Sequence, residues 1–440
     1  MQSQTELVRE DLSSISSIEL KDSSQRWWLA ALLNIGLLFC YVHRSALSVA
    51  APFMIKDLGL STAVMGVLLS AFFWPYAFMQ TPAGWVVDRF GVRRAYAIGY
   101  LLGSLAAAAT GLARGLVTLA MLRMCLGVGQ SVIFPASSRA TANWFHDRER
   151  GLVTALYLAG NRLGQALING LGTLVLVAIG WQMFFSAIGI IPLLWLLPWI
   201  LFLRKWERPG TTRVADRTNA TFLESIGLLK QRSALGIFLG FFAYDYVWFL
   251  FLTWLPGYLI IERKCSVGEM AVFSSVPYLF GLIINLISGL LSDWFVRKGY
   301  QELRVRKAFI AVGLAIACLI VPAGIVEDKM TAVWLLAISL CGLNVCGPNT
   351  WSLTQAASEK KIVGTMAGIQ NFGGNVGGII APALTGFIAL ATHSFALALG
   401  LAGVILIGGI LAYWLMVEEK INLGAGERES GRAGDVIRNP

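Results

Sequence analysis

Gly84-Trp-Val-Val-Asp88-Arg89-Phe-Gly91-Val-Arg93-Arg94 lies between two apolar runs. It returns in weaker form as Gly289-x3-Asp293, followed by Arg297, Lys298 and Gly299, between two later runs. The Gly-to-Asp spacing is the same in both copies. A second repeat agrees with the first. Gly151, Gly160 and Gly164 share their spacing with Gly364, Gly373 and Gly377. A chain that carries one turn and one glycine spacing in each half reads as a duplication.

The runs around these motifs set the class. The 440 residues are 56% hydrophobic and 14% charged, against roughly 25% charged in soluble domains. A bilayer core of about 30 Å needs about 20 apolar residues per helix. Runs of that length fall at 27–49, 61–83, 95–113, 116–138, 152–179, 182–203, 233–260, 269–291, 307–326, 331–356, 363–391 and 394–417. The expected fold is therefore an all-α membrane protein of twelve spans. A cytoplasmic N-tail (1–26) precedes a six-helix bundle (27–203). A polar linker (204–232) leads to a second bundle (233–417) and a C-tail (418–440). No cleavable leader pattern precedes the first span, which is expected to act as the insertion signal. Two repeated halves with a substrate site near the midplane are the plan of many secondary transporters.

The net charge of +10 raises a polyanionic partner, but its distribution answers that. Most of the 35 Lys and Arg residues lie on the side of the termini; only Lys56, Arg114, Arg263, Lys264 and Lys329 lie on the other. This asymmetry is the positive-inside pattern and places both termini in the cytoplasm. Nucleic acid is not needed to explain it. The six cysteines show no ligand spacing and read as small buried residues, so no metal or cofactor is expected.

The turn motif has a physical use. Asp88 with Arg89, Arg93 and Arg94, and Asp293 in the second copy, put a carboxylate and guanidinia at helix ends. There they can latch one conformation and release another. A turn whose cations only fix topology is the plainer alternative. The glycines allow close helix approach in lipid, and packing alone would account for them.

Ionisable groups inside spans carry the chemistry, because each costs about 2.5–3.5 kcal/mol near a helix centre on insertion scales. They are Arg44, Arg123, Arg162 and Asp245, with His43 beside Arg44. Three buried cations against one anion leave an interior that favours an anionic guest. Tyr41, Arg44 and Ser48 share one helical face, and a guanidinium grips a carboxylate through two hydrogen bonds. Arg123 has a second reading, snorkelling to the interface or neutralising Asp245. His43 could be a packed neighbour.

The chain resembles the anion:cation symporter family of the major facilitator superfamily, which includes bacterial galactonate, glucarate and hexuronate transporters and is related to vesicular glutamate and sialic acid transporters. The resemblance is carried by Tyr41-Val-His43-Arg44-Ser-Ala-Leu-Ser48-Val-Ala-Ala-Pro52 and by the Gly84–Arg94 motif. Phe134-Pro135-Ala-Ser-Ser-Arg139 with Trp144-Phe145, and Phe251-Leu-Thr-Trp-Leu-Pro-Gly-Tyr258, carry it further. It covers nearly all of 27–417. It implies that Arg44 holds a substrate carboxylate and that Tyr76, Asn161, Trp351 and Asn371 line the site. Helix-packing roles for Tyr76 and Trp351 stay open.

Two departures matter. Sugar-acid proton symporters of that family have an acid before the span 1 arginine and a glutamate in span 4, where this chain has His43 and Gln130. Asp245 is then the candidate proton carrier, with His43 assisting. The expected function is proton-coupled, alternating-access transport of a sugar acid or related hydroxy carboxylate by a monomer among membrane lipids. A proton-independent facilitator or anion exchanger is the nearest alternative, and a transporter-like sensor the alternative of another class. No nucleophile with a base, and no histidine cluster, suggests an enzyme.

Overall fold

The computed structural model describes residues 23–146, 149–206, 227–359, 362–418 and 421. The expected tails over 1–22 and 422–440, and the linker over 207–226, lie outside the described residues. Among the described residues the chain is almost wholly helical, with no strand and one isolated bridge, Ser358 with Ile421. Among the described residues, ten helical segments are long and apolar enough to cross a membrane.

The first part of the chain forms α1 (Arg26–Leu58), α2 (Thr62–Ala71), α3 (Phe73–Phe90), α4 (Val92–Thr110), α5 (Leu116–Ser131) and α6 (Ile133–Trp144). It continues through α7 (Arg150–Leu167), α8 (Thr173–Ile190) and α9 (Leu196–Trp206). The second part forms α10 (Arg232–Ile261), α11 (Val267–Arg297), α12 (Glu302–Ala317), α13 (Ile320–Ile325), α14 (Lys329–Ala357), α15 (Val363–Thr392) and α16 (Ala396–Leu411).

Two of the expected spans differ from a simple count. The 19-residue α4 opens on Arg93 and Arg94 and stays outside the ten apolar segments. The segment Leu152–Trp206 runs for 55 residues, too long for one crossing. Gly180 breaks it, at φ 75° and ψ 161°. That left-handed φ suits glycine, which lacks the clashing Cβ. The break falls in the turn expected between 179 and 182.

Prolines place the other breaks. Pro75 has no N–H for the Ala71 carbonyl, and α2 gives way to α3 at Phe72. Pro135 does the same to Ser131, and α5 gives way to α6 at Val132.

Contacts gather the chain into two compact units, Met1–Ala215 with Thr253–Leu279, and Asp216–Leu252 with Phe280–Pro440. Within the first, Ser48 Oγ donates to the Thr253 carbonyl at 2.6 Å, which ties α1 to the second half of α10. In the same unit α1 lies along α7. A Cβ at Gly160 or Gly164 would collide with the carbonyls of Asn34 or Leu38, one helical turn apart. The second unit repeats the device between α10 and α15. There a Cβ at Gly373 would sit 2.9 Å from the Phe238 carbonyl, and one at Gly377 3.1 Å from that of Phe242. The repeated glycines read from the sequence therefore mark the same close packing in each unit. Gly364 and Gly368 differ, since nothing lies within 4 Å of where their Cβ atoms would be.

Burial is arranged for lipid. Leu112 and Leu194 are 78% and 76% exposed, and many other large apolar side chains point outward. A protein in water rarely shows apolar patches on that scale. The polar groups Arg44, Arg123, Gln130, Asn161 and Gln165 are buried instead.

Candidate anion-binding site

The break at Phe72 organises the site in the first unit. Gly127 of α5 has no side chain to collide with the Phe72 carbonyl, so α5 comes close at that point. The Phe72 ring then meets two guanidinia. The Arg44 guanidinium carbon lies 4.5 Å from its centre and that of Arg123 lies 5.6 Å away. Arg44 also lies over the rings of Tyr41, at 4.6 Å, and Tyr76, at 4.7 Å. Three aromatic faces thus surround one cation that is 5% exposed.

These rings do not replace a counter-ion. Three desolvated cation–π contacts at about 2 kcal/mol each offset much of the several kcal/mol that burying an ion costs, but ring faces do not accept from the N–H donors in the guanidinium plane. The hydrogen bonds of Arg44 are long and neutral: Nη1 donates to Tyr41 Oη and Nη2 to Gln130 Oε1, both at 3.4 Å. Its Nε has no acceptor. Gln130 is itself held by donating from Nε2 to the Cys40 carbonyl at 2.9 Å. Arg123 donates from Nη2 to the Arg44 carbonyl at 3.3 Å, and its Nε also lacks an acceptor. Among the described residues neither guanidinium is ion-paired. Snorkelling to the interface does not describe Arg123, which is 3% exposed.

His43 is held differently. Its Nε2 lies 2.8 Å from the Ile188 carbonyl and donates to it. That carbonyl would normally serve the N–H four residues on, which is Pro192 and has none. The ring also lies 6.3 Å from that of Tyr100, whose hydroxyl donates to the Pro192 carbonyl. His43 therefore caps a proline break in the following apolar segment.

Other expected residues lie as follows. Asn161 is buried, and its Oδ1 accepts from Gln165 Nε2 at 2.6 Å. Arg162 is half-buried on α7. In the second unit, Trp351 packs edge-on against Phe241 at 5.4 Å with 39% of its surface exposed. Asn371 is half-buried on α15, where its backbone carbonyl accepts from Asn375 Nδ2. Asp245 is half-buried on α10 against Gly374, where a Cβ would overlap its carboxylate.

The turn motif pairs with helices beyond the turn. Asp88 lies 3.6 Å from Arg139 of α6, and Asp293 lies 2.6 Å from Arg306 of α12. Arg306 is buried and also donates to Ser292 Oγ and toward Glu302. Arg89 instead lies over Trp85 at 5.3 Å, Arg94 is exposed, and Arg93 is half-buried with its carbonyl accepting from Trp199 Nε1. The sequence reading did not single out Phe72, nor Arg139 and Arg306 as partners of the two acids. Pro75 was the signal for Phe72; nothing local marks the two arginines as partners.

The Major Facilitator Superfamily family model matches residues 33–382. The chain is 31% identical over 405 residues to the probable L-galactonate transporter of Escherichia coli (strain K12), covering 89% of each chain. It is 35% identical over 408 residues to the hexuronate transporter of Bacillus subtilis (strain 168), covering 91% of this chain and 95% of that one. Its fold is similar to the crystal structure of a bacterial homologue of the human lysosomal transporter Spinster, with a TM-score of 0.73 and 16% identity over 90% of this chain and 97% of that one. With a family model spanning most of the chain, helices in the same arrangement and curated relatives that are transporters rather than enzymes, the chain belongs to the Major Facilitator Superfamily.

Proposed function

We propose that this chain is a proton symporter for a small organic anion, a sugar acid or related hydroxy carboxylate, working by alternating access. The observation that carries this reading is Arg44: buried, ringed by Tyr41, Phe72 and Tyr76, and without a carboxylate partner among the described residues. A cargo carboxylate supplies the missing charge and accepts from the free N–H groups. The galactonate and hexuronate specificity of the named relatives agrees with that chemistry. Asn161, Trp351 and Asn371 complete the proposed set as readers of hydroxyls and as an apolar cover.

In this reading the two broken or divergent segments bring the spans to twelve, with both termini in the cytoplasm of the cell that carries the protein in its inner membrane, as a monomer. Asp88 with Arg139, and Asp293 with Arg306, act as latches of the two units. Gln130 cannot titrate, and His43 commits its Nε2–H to the Ile188 carbonyl. Asp245 is the remaining embedded acid and the proposed proton carrier.

The test is uptake of galactonate or glucuronate into proteoliposomes with an imposed pH gradient. Arg44→Ala should abolish uptake. Asp245→Asn should keep counterflow and lose accumulation against a gradient. Accumulation by Asp245→Asn at the wild-type level would remove the proton role from Asp245. No accumulation even by the wild-type protein, with counterflow intact, would make the carrier a facilitator or exchanger. Binding without flux would make it a sensor.

A further inference from the structure

We propose that the cargo carries two anionic groups, and that Arg123 holds the second. This rests on the carrier reading above and deepens it. Arg44 and Arg123 both lie against one ring, Phe72, at 4.5 and 5.6 Å from its centre. Lying against one ring, the two guanidinium carbons can be at most about 10 Å apart, a span that a six-carbon diacid can bridge. Each guanidinium has five N–H donors. Their hydrogen bonds to Tyr41, Gln130 and the Arg44 carbonyl, at 3.4, 3.4 and 3.3 Å, all go to neutral oxygens. The Nε atoms of both are buried with no acceptor.

Like charges this close repel, and neither has an ion-pair partner among the described residues. The acids at the helix ends have partners elsewhere. Glu149 pairs with Arg26, Asp88 with Arg139, and Asp293 and Glu302 with Arg306. Asp57 accepts from Trp181 Nε1. A cargo with one carboxylate would neutralise one guanidinium and leave the other buried and uncompensated, at several kcal/mol. A cargo with an acid group at each end satisfies both. The class is a short, hydroxylated dicarboxylate, or a carboxylate bearing a second strong acid group.

Galactonate and galactarate separate the possibilities, because they share a carbon skeleton and differ in one terminal carboxylate. Both are fully ionised at about pH 7. Titration calorimetry on the purified full chain should find galactarate tighter by about 10- to 100-fold, the worth of one charge-assisted contact. In Arg123→Gln the ratio of the two affinities should collapse toward one. Arg123→Lys retains the charge and should restore much of the ratio, which a merely structural role for Arg123 would not predict. Equal affinities in the wild-type protein, with binding lost in Arg44→Ala, would overturn the second anionic group and leave the carrier reading standing. An unchanged ratio in Arg123→Gln would also overturn it. Failure of the wild-type protein to bind either acid would overturn both readings.

Discussion

Gln130→Glu is the most informative single change to this site. Gln130 Oε1 accepts from Arg44 Nη2 at 3.4 Å, and Nε2 donates to the Cys40 carbonyl at 2.9 Å. The substitution keeps the shape and adds a titratable carboxyl. Ionised, that carboxyl is a counter-ion for Arg44. At the wild-type distance and an effective dielectric constant of about 20, the attraction is roughly 5 kcal/mol. The lost bond to Cys40, which leaves two acceptors facing each other, subtracts about 1–3 kcal/mol. The remaining 2–4 kcal/mol or so must be overcome by any anion that takes Arg44, a loss of about 30-fold or more in affinity. Protonated, the new group again donates to Cys40 and releases Arg44. Anion affinity in the variant should therefore fall at high pH and recover at low pH, while the wild-type site lacks this dependence. Binding titrations from about pH 8 down to about pH 4 follow the transition. Wild-type affinity for Gln130→Glu at the higher pH would refute Arg44 as the anchor, since a neutralised anchor cannot hold the anion as before.

Two further outcomes test the framework. Gly374→Ala puts a Cβ onto the Asp245 carboxylate and 2.8 Å from Phe241. It should cost about 1–3 kcal/mol as overpacking, seen as a lower Tm in detergent, and should impair proton-driven accumulation more than counterflow. Glu149 accepts from Arg26 at 2.8 and 3.1 Å, and that bond holds its carboxyl below the usual range. Its stabilisation is present above the unfolded carboxylate value of about 4.3 and is lost as pH falls through the lower folded value. Thermal unfolding of Glu149→Gln should show a modest deficit near neutral pH that disappears in acid. A deficit unchanged by pH would assign the effect to packing.

Membrane residence, the all-helical fold and the glycines of close helix packing were legible in the sequence, because lipid imposes long apolar runs and glycine spacing records where backbones touch. Arg44 and Arg123 were legible as costly charges, and Pro75 and Pro135 mark their helix breaks without any coordinates. What the tertiary structure alone decided is which groups meet. Phe72 became the surface shared by two guanidinia because α2 ends there and Gly127 admits α5. His43 went to a carbonyl orphaned by Pro192, and the two motif acids went to Arg139 and Arg306. Burial is a property of single residues, and one strand of sequence records it through composition and period. Pairing depends on distances between helices far apart in the chain, and those follow only once the helices have packed.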